Sequence, residues 1–231
     1  YVKVEDWRVK ENSTVTYSVG GLILSNSGAV TANYWLSEIY DQEIAEAHRN
    51  ADIHIHDLSM LTGYCAGWSL KQLIQEGLGG ITGKITSAPA AHLSVLCNQM
   101  VNFLGIMQNE WAGAQAFSSF DTYLAPFVKV DNLSYSEVKK CIEAFVYGVN
   151  TPSRWGTQAP FTNITLDWTV PNDLAELPAL VGGKEMDFCY KDCKKEMDMV
   201  NKAFLETMIE GDANGRGFQY PIPTYSITSD F

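Results

Sequence analysis

The residues able to do chemistry gather at a few places in the chain. Cys65 lies in Thr62-Gly-Tyr-Cys-Ala-Gly67, where small neighbours leave the sulfur little covered. A thiol in such a setting is either an inert small hydrophobe or an accessible reactive group, and the flanking glycines let a ligand or another segment approach the backbone. Just upstream, Asp52-Ile-His-Ile-His-Asp57 sets two imidazoles at i, i+2 between two carboxylates. Two histidines on a strand are an incomplete metal-ligand set, and no third ligand stands at a diagnostic spacing. The same groups serve as hydrogen-bond partners for backbone near a strand end. Cys189 and Cys193 lack a second cysteine pair, so they do not complete a zinc site within the chain. Gln158, in Gly156-Thr-Gln-Ala-Pro-Phe161, offers an amide that either reads a sugar hydroxyl or a base edge or belongs to a plain turn. Asn214-Gly-Arg-Gly217 is a turn signal first and a phosphate contact second.

The elements that must hold these groups follow from periodicity. Trp35, Leu36, Ile39, Tyr40, Ile44 and Ala47 fall at helical spacing and predict an amphipathic helix over 33–50. The alternation from Asp52 to Leu58 then predicts a short strand, with His54 and His56 on one side. Leu93 to Trp111 reads as a long helix with an amide-rich flank that includes Asn98, Asn102 and Asn109. Ser134 with Glu137 marks a capped helix to Asn150, and Lys191 to Glu210 reads as another. Phe161 to Trp168 and Gln219 to Ile227 are β-favouring runs bounded by Gly and Pro. Strands alternating with helices predict an α/β domain with parallel pairs. Gly77 to Gly83 carries neither a Walker pattern nor a dinucleotide fingerprint, so it is expected to be a turn.

Composition sets the outer bounds. With 231 residues and 46% hydrophobic content the chain can bury a substantial core. A formal charge of −11, with 16 scattered Lys and Arg, argues against a nucleic-acid surface. Phosphates remain possible ligands, because helix N-termini hold them even in acidic proteins. No apolar run is long enough for a membrane helix, and five spread cysteines fit reduced thiols and a cytoplasmic setting. The start at Tyr1 and the end just after a β-favouring run lead to the expectation that the chain continues beyond Phe231.

Several separated strings, in order, resemble the anaerobic, class III ribonucleoside-triphosphate reductases of the glycyl-radical enzyme family. They are Ala51-Asp-Ile-His-Ile-His-Asp-Leu58, the Cys65 segment, Tyr123-Leu-Ala-Pro-Phe127, Val149-Asn-Thr151 and Gly156-Thr-Gln-Ala-Pro-Phe161. The resemblance implies an α/β barrel made of two antiparallel half-barrels of parallel strands, with long helices outside. This chain would be the N-terminal portion of that single catalytic domain and supply the first half-barrel. It implies that Cys65 is the second active-site cysteine, assisting loss of the ribose 2'-hydroxyl after a thiyl has taken the 3'-hydrogen. A thiol suits that role because it can give both a proton and an electron to a sugar radical. His56, Asp57 and Gln158 would orient the ribose.

The same resemblance implies a glycyl radical and a zinc site outside this chain, a radical-SAM activating enzyme, and formate or a thiol as reductant. It also implies a ribonucleoside triphosphate substrate, a homodimer, and a deoxynucleotide or ATP effector; Asn102 and Lys139, on the two long helices, are the candidates for the effector contact. Two departures stand out: Tyr64 occupies a position where Asn is expected, and no ATP-binding regulatory domain is visible. The competing expectations are another glycyl-radical enzyme, of formate-lyase or dehydratase type, and a non-catalytic scaffold that keeps the half-barrel.

Overall fold

The structure is a computed structural model that describes residues 19–60, 62–79, 83, 85–151 and 159–229. Its chain begins with α1 (Val19–Tyr34), a π-helical turn (Trp35–Ile39) and α2 (Gln42–Arg49). The first strand, β1 (Ala66–Trp68), leads into α3 (Leu70–Glu76) and α4 (Leu93–Met107), and β2 (Gln115–Phe117) leads into α5 (Phe120–Val130) and α6 (Tyr135–Asn150). After β3 (Thr162–Leu166) come the short α7 (Asn172–Ala175), a hairpin of β4 (Pro178–Val181) and β5 (Lys184–Cys189), a 3-10 turn (Tyr190–Cys193), α8 (Lys194–Glu210) and β6 (Ile222–Tyr225).

The strands β1, β2, β3 and β6 form one sheet in that order, and every pairing is parallel. Parallel neighbours need long crossovers, and crossovers are right-handed, so an order that always steps the same way places the connecting helices on one face. Register and burial agree with this. Gln115, Phe117, Thr162, Ile164 and Leu166 are buried on the helix side, whereas Gly67, Ala116, Asn163, Thr165 and Thr224 alternate with them and stay partly or fully open. A singly wound parallel sheet with helices on one side and small or polar residues on the other is a section of an α/β barrel wall.

Helix packing supplies the core. Leu96, Met100 and Leu104 of α4, Phe120, Leu124 and Phe127 of α5, Phe145 of α6 and Phe204 of α8 are all at most 1% exposed and pack with Phe117 and Ile164. Each such side chain contributes about 1.5–3 kcal/mol by leaving water. Serine side chains cap two of the helices: Ser69 Oγ accepts the Gln72 N–H, and Ser134 with Glu137 forms the expected capping box. Gly77 ends α3 at φ +72°, where a side chain would run into the Ser87 carbonyl, so the glycine-rich segment begins with a required turn. Asn150, in one of the strings singled out above, has a definite task. Its Oδ1 accepts the N–H groups of Gln219 and Tyr220 and its Nδ2 donates to the Tyr220 carbonyl, which ties the end of α6 to the approach of β6.

A buried carboxylate joins two other elements to its own helix. Asp121, fully buried in the first turn of α5, accepts the N–H groups of Asp167 and Trp168 at the end of β3 and the Asn201 Nδ2 of α8, all at 2.8 Å. Burial raises the pKa of neighbouring Asp167, against the hydrogen bonds of Thr122 and Ser119, and the charge of Asp121 adds to the rise.

Three sequence expectations are corrected. The segment 52–58 is irregular rather than a strand: its Ile55 N–H is taken by His48 Nδ1 and Asp57 adopts φ +51°. The helix expected over 33–50 is broken: Tyr40 is extended and the next helix restarts after Asp41. The helix from Leu93 stops at Met107 rather than running to Trp111, which makes an isolated parallel bridge to Gly63.

Candidate active site

Cys65 sits immediately before β1 and is exposed. Backbone bonds on both sides fix its segment: Ala112 N donates to the Gly63 carbonyl and Ala66 N to the Ala114 carbonyl, each at 3.0 Å. Its side chain is exposed at the entry to the sheet. The other four cysteines belong elsewhere. Cys97 and Cys141 sit between α4 and α6, and burial raises both of their pKa values, while Cys193 is buried against Ala125 and Met197 and is pushed up to about 12. All five are free thiols.

The histidines of the 52–58 segment lead towards Cys65. His54 Nε2 and His56 Nδ1 share a hydrogen bond at 3.1 Å, which keeps the two imidazoles on one side as the alternation implied even without a strand. His48 of α2 stands 5.8 Å from the ring of His54, and His56 meets the ring of Tyr64 edge-on at 5.7 Å. Asp57 lies 3.9 Å from His56. Partial desolvation, then Asp57, then Cys65 raise the Tyr64 hydroxyl above its ordinary value. The imidazoles thus run in a row rather than converging, and among the described residues no three His, Cys, Asp or Glu groups are placed to hold a metal ion. His48 was not picked out by sequence patterns, since a single histidine on a helix carries no spacing signal, and Tyr64 stood out only as a departure from the family pattern.

Gln158 lies outside the described residues. Asn102 and Lys139 are not brought together: Asn102 Nδ2 donates back to Asn98, and Lys139 turns towards α8, bonding Glu210 at 2.6 Å with Glu206 at 3.5 Å. Their neighbours Asn98 and Lys140 line a groove of about 370 Å³ between α4 and α6, together with Cys97, Cys141 and Phe145.

A parallel α/β sheet with its helices on one face is the fold of several solved structures, which superpose on this one. The anaerobic ribonucleotide reductase of Thermotoga maritima in complex with dATP and CTP matches with a TM-score of 0.66 at 23% identity, over 82% of this chain and 34% of that one. The same enzyme with dATP in its specificity site gives 0.60 at 23% identity over 86% and 35%. A further anaerobic ribonucleotide reductase gives 0.71 at 23% identity over 90% and 35%. At such identity the likeness establishes the fold, and the chain spans about a third of the length of these relatives. No curated protein matches the chain. The profile of the anaerobic ribonucleoside-triphosphate reductases matches residues 11–231, and the chain belongs to that family. Among the described residues no helix is long and apolar enough to cross a membrane.

Proposed function

We propose that this chain supplies the first half-barrel, and the second active-site cysteine, of a cytoplasmic enzyme that reduces ribonucleoside triphosphates to deoxyribonucleoside triphosphates without oxygen. The observation that carries this reading is the exposed Cys65 immediately before the first strand of the parallel sheet, in a member of this family. The thiol has the chemistry required: its proton can go to the departing 2'-hydroxyl and an electron of its sulfur to the sugar radical, leaving a thiyl that formate or a thiol then reduces. The ribose would lie over Gly67, Ala116 and Asn163, whose small or amide side chains leave room for it. His56 and Asp57 stand beside this face as hydrogen-bond partners for the sugar, and Gln158 completes the proposed set. The remaining cysteines lie between helices, under the hairpin or at its end, which fits a thiyl arising on a residue outside this chain. A glycyl radical made by a radical-SAM partner would supply that thiyl, with formate or a thiol as reductant and a zinc site elsewhere in the longer protein.

The groove between α4 and α6 is the proposed place for a two-fold contact and a deoxynucleotide or ATP effector, with Asn98 and Lys140 as the base and phosphate contacts and Asn102 holding Asn98 in place. Family membership sets aside the formate-lyase and dehydratase alternatives. Cys65→Ser in the full-length enzyme tests the central reading and the scaffold alternative together, because serine keeps the size and loses the redox chemistry. Turnover should vanish while circular dichroism and melting stay unchanged. Retention of wild-type turnover would remove Cys65 from the mechanism.

A further inference from the structure

The segment that carries Cys65 and the segment that leads into β2 exchange side chains for glycines. Gly63 of the first segment lies under the indole of Trp111, which occupies the space a side chain at 63 would take. In return, Gly113 of the second segment lies under the sulfur of Cys65: a Cβ at 113 would stand 2.7 Å from Cys65 Sγ and 3.1 Å from the ring of Tyr64. Both contacts lie within the same stretch of ladder, between the Gly63 to Trp111 bridge and the bond from Ala66 N to Ala114 O. Gly113 is itself buried and has no left-handed φ, so its backbone could be adopted by any residue. What requires glycine there is space for the sulfur. Gly67, two residues after Cys65, shows the contrast, since a Cβ there would meet nothing within 4 Å.

We infer that Gly113 is a positioning residue that aims the Cys65 thiol, with the Tyr64 ring as the other wall of its seat. The inference rests on the proposed catalytic role of Cys65. An alanine at 113 collides with the far end of a short, rotatable side chain rather than with backbone, so the sulfur swings away from β2 and the ladder stays. Placement errors of about 1 Å can cost roughly 100-fold in rate when the group itself remains present.

The test is Gly113→Ala in the full-length enzyme, followed by three measurements. Turnover should fall about 100-fold in kcat with KM for the nucleotide within a few-fold, since the ribose seat is untouched. Alkylation of Cys65 by iodoacetamide, followed by peptide mass spectrometry, should be faster than in the parent, whereas Gly79→Ala, where a Cβ meets only Thr86 at ordinary contact distance, should leave that rate unchanged. Melting should show coupling: any loss of Tm in Gly113→Ala should be recovered in the Gly113→Ala, Cys65→Ala double variant, because the colliding atom is gone. The inference is overturned if the alkylation rate and kcat both match the parent, if kcat is retained despite faster alkylation, or if the Tm loss persists undiminished in the double variant. Activity in Cys65→Ser would instead defeat the functional reading, while alkylation and the melting cycle would still report on the seat of the sulfur.

Discussion

Replacing Asp121 by alanine should be among the most damaging single changes outside the apolar core. The carboxylate accepts from Asp167 N, Trp168 N and Asn201 Nδ2 at 2.8 Å and from Thr122 N at 3.0 Å, and Asp121 itself is fully buried. Alanine leaves the first three donors without their acceptor, and each buried orphan costs about 1–3 kcal/mol. Relaxation and water entry will recover part of that, so a loss of about 3–5 kcal/mol is expected, a large share of a typical domain's stability. Asparagine keeps the volume and one acceptor oxygen but turns an amide towards donors, and should cost roughly 1–3 kcal/mol. Urea unfolding of the two variants, followed by fluorescence, gives both numbers on one scale, with Trp168 beside the change as reporter. A loss below about 1 kcal/mol for Asp121→Ala would refute the reasoning, since it would mean that the three donors find equivalent partners without the carboxylate.

Removing the cap of α6 by Ser134→Ala should cost about 1 kcal/mol in the same unfolding assay. The Ser134 hydrogen bonds hold Glu137 below the ordinary 4.5, so its contribution is complete above that value and is lost as the pH falls through the lower folded value; Glu137→Gln should flatten the acid limb of a stability against pH curve. Asn98→Ala and Lys140→Ala should each weaken binding of a deoxynucleotide effector in equilibrium dialysis with no change in substrate KM, and unchanged affinity in both would move the effector site away from the α4 and α6 groove. Residues 1–231 expressed alone with an activating radical-SAM enzyme should give neither deoxynucleotide nor a radical signal in electron paramagnetic resonance, because the thiyl and its shielding walls are proposed to lie outside them.

Long periodic elements were legible in the sequence and short ones were not. The helices of Leu93 and Ser134 repeat apolar residues over several turns, and the capping pair of Ser134 and Glu137 marks its start to the residue. By contrast β1 and β2 are three residues each, too short for alternation to register, and Phe120–Val130 hides its helix behind an internal Pro126. The segment of His54 and His56 alternates as a strand does, but its amide found an imidazole before it found another strand. At the site, Cys65 and His56 were visible by residue type. Gly113 was not, because the need for an empty volume arises only when two segments 48 residues apart are laid side by side, as the Gly63 to Trp111 bridge shows. Lys139, a candidate effector contact in the sequence, is engaged by Glu210, 71 residues further on.

The order of the sheet also sets a timetable for synthesis. Ala66 pairs with Gln115, Gln115 with Thr162 and Asn163 with Ile222, so each ladder joins strands roughly fifty residues or more apart and none can close locally. At ribosomal rates of about 5–20 residues per second, each newly made strand waits on the order of 2–10 s for its next neighbour. During that wait its free edge is open to any other nascent chain. Strands of three to five residues, broken by Gly67 in the first and Pro223 in the last, are poor templates for such pairing. Their brevity, which hides two of them from sequence patterns, protects the unfinished wall while its helices, stabilised by their own local bonds, form first.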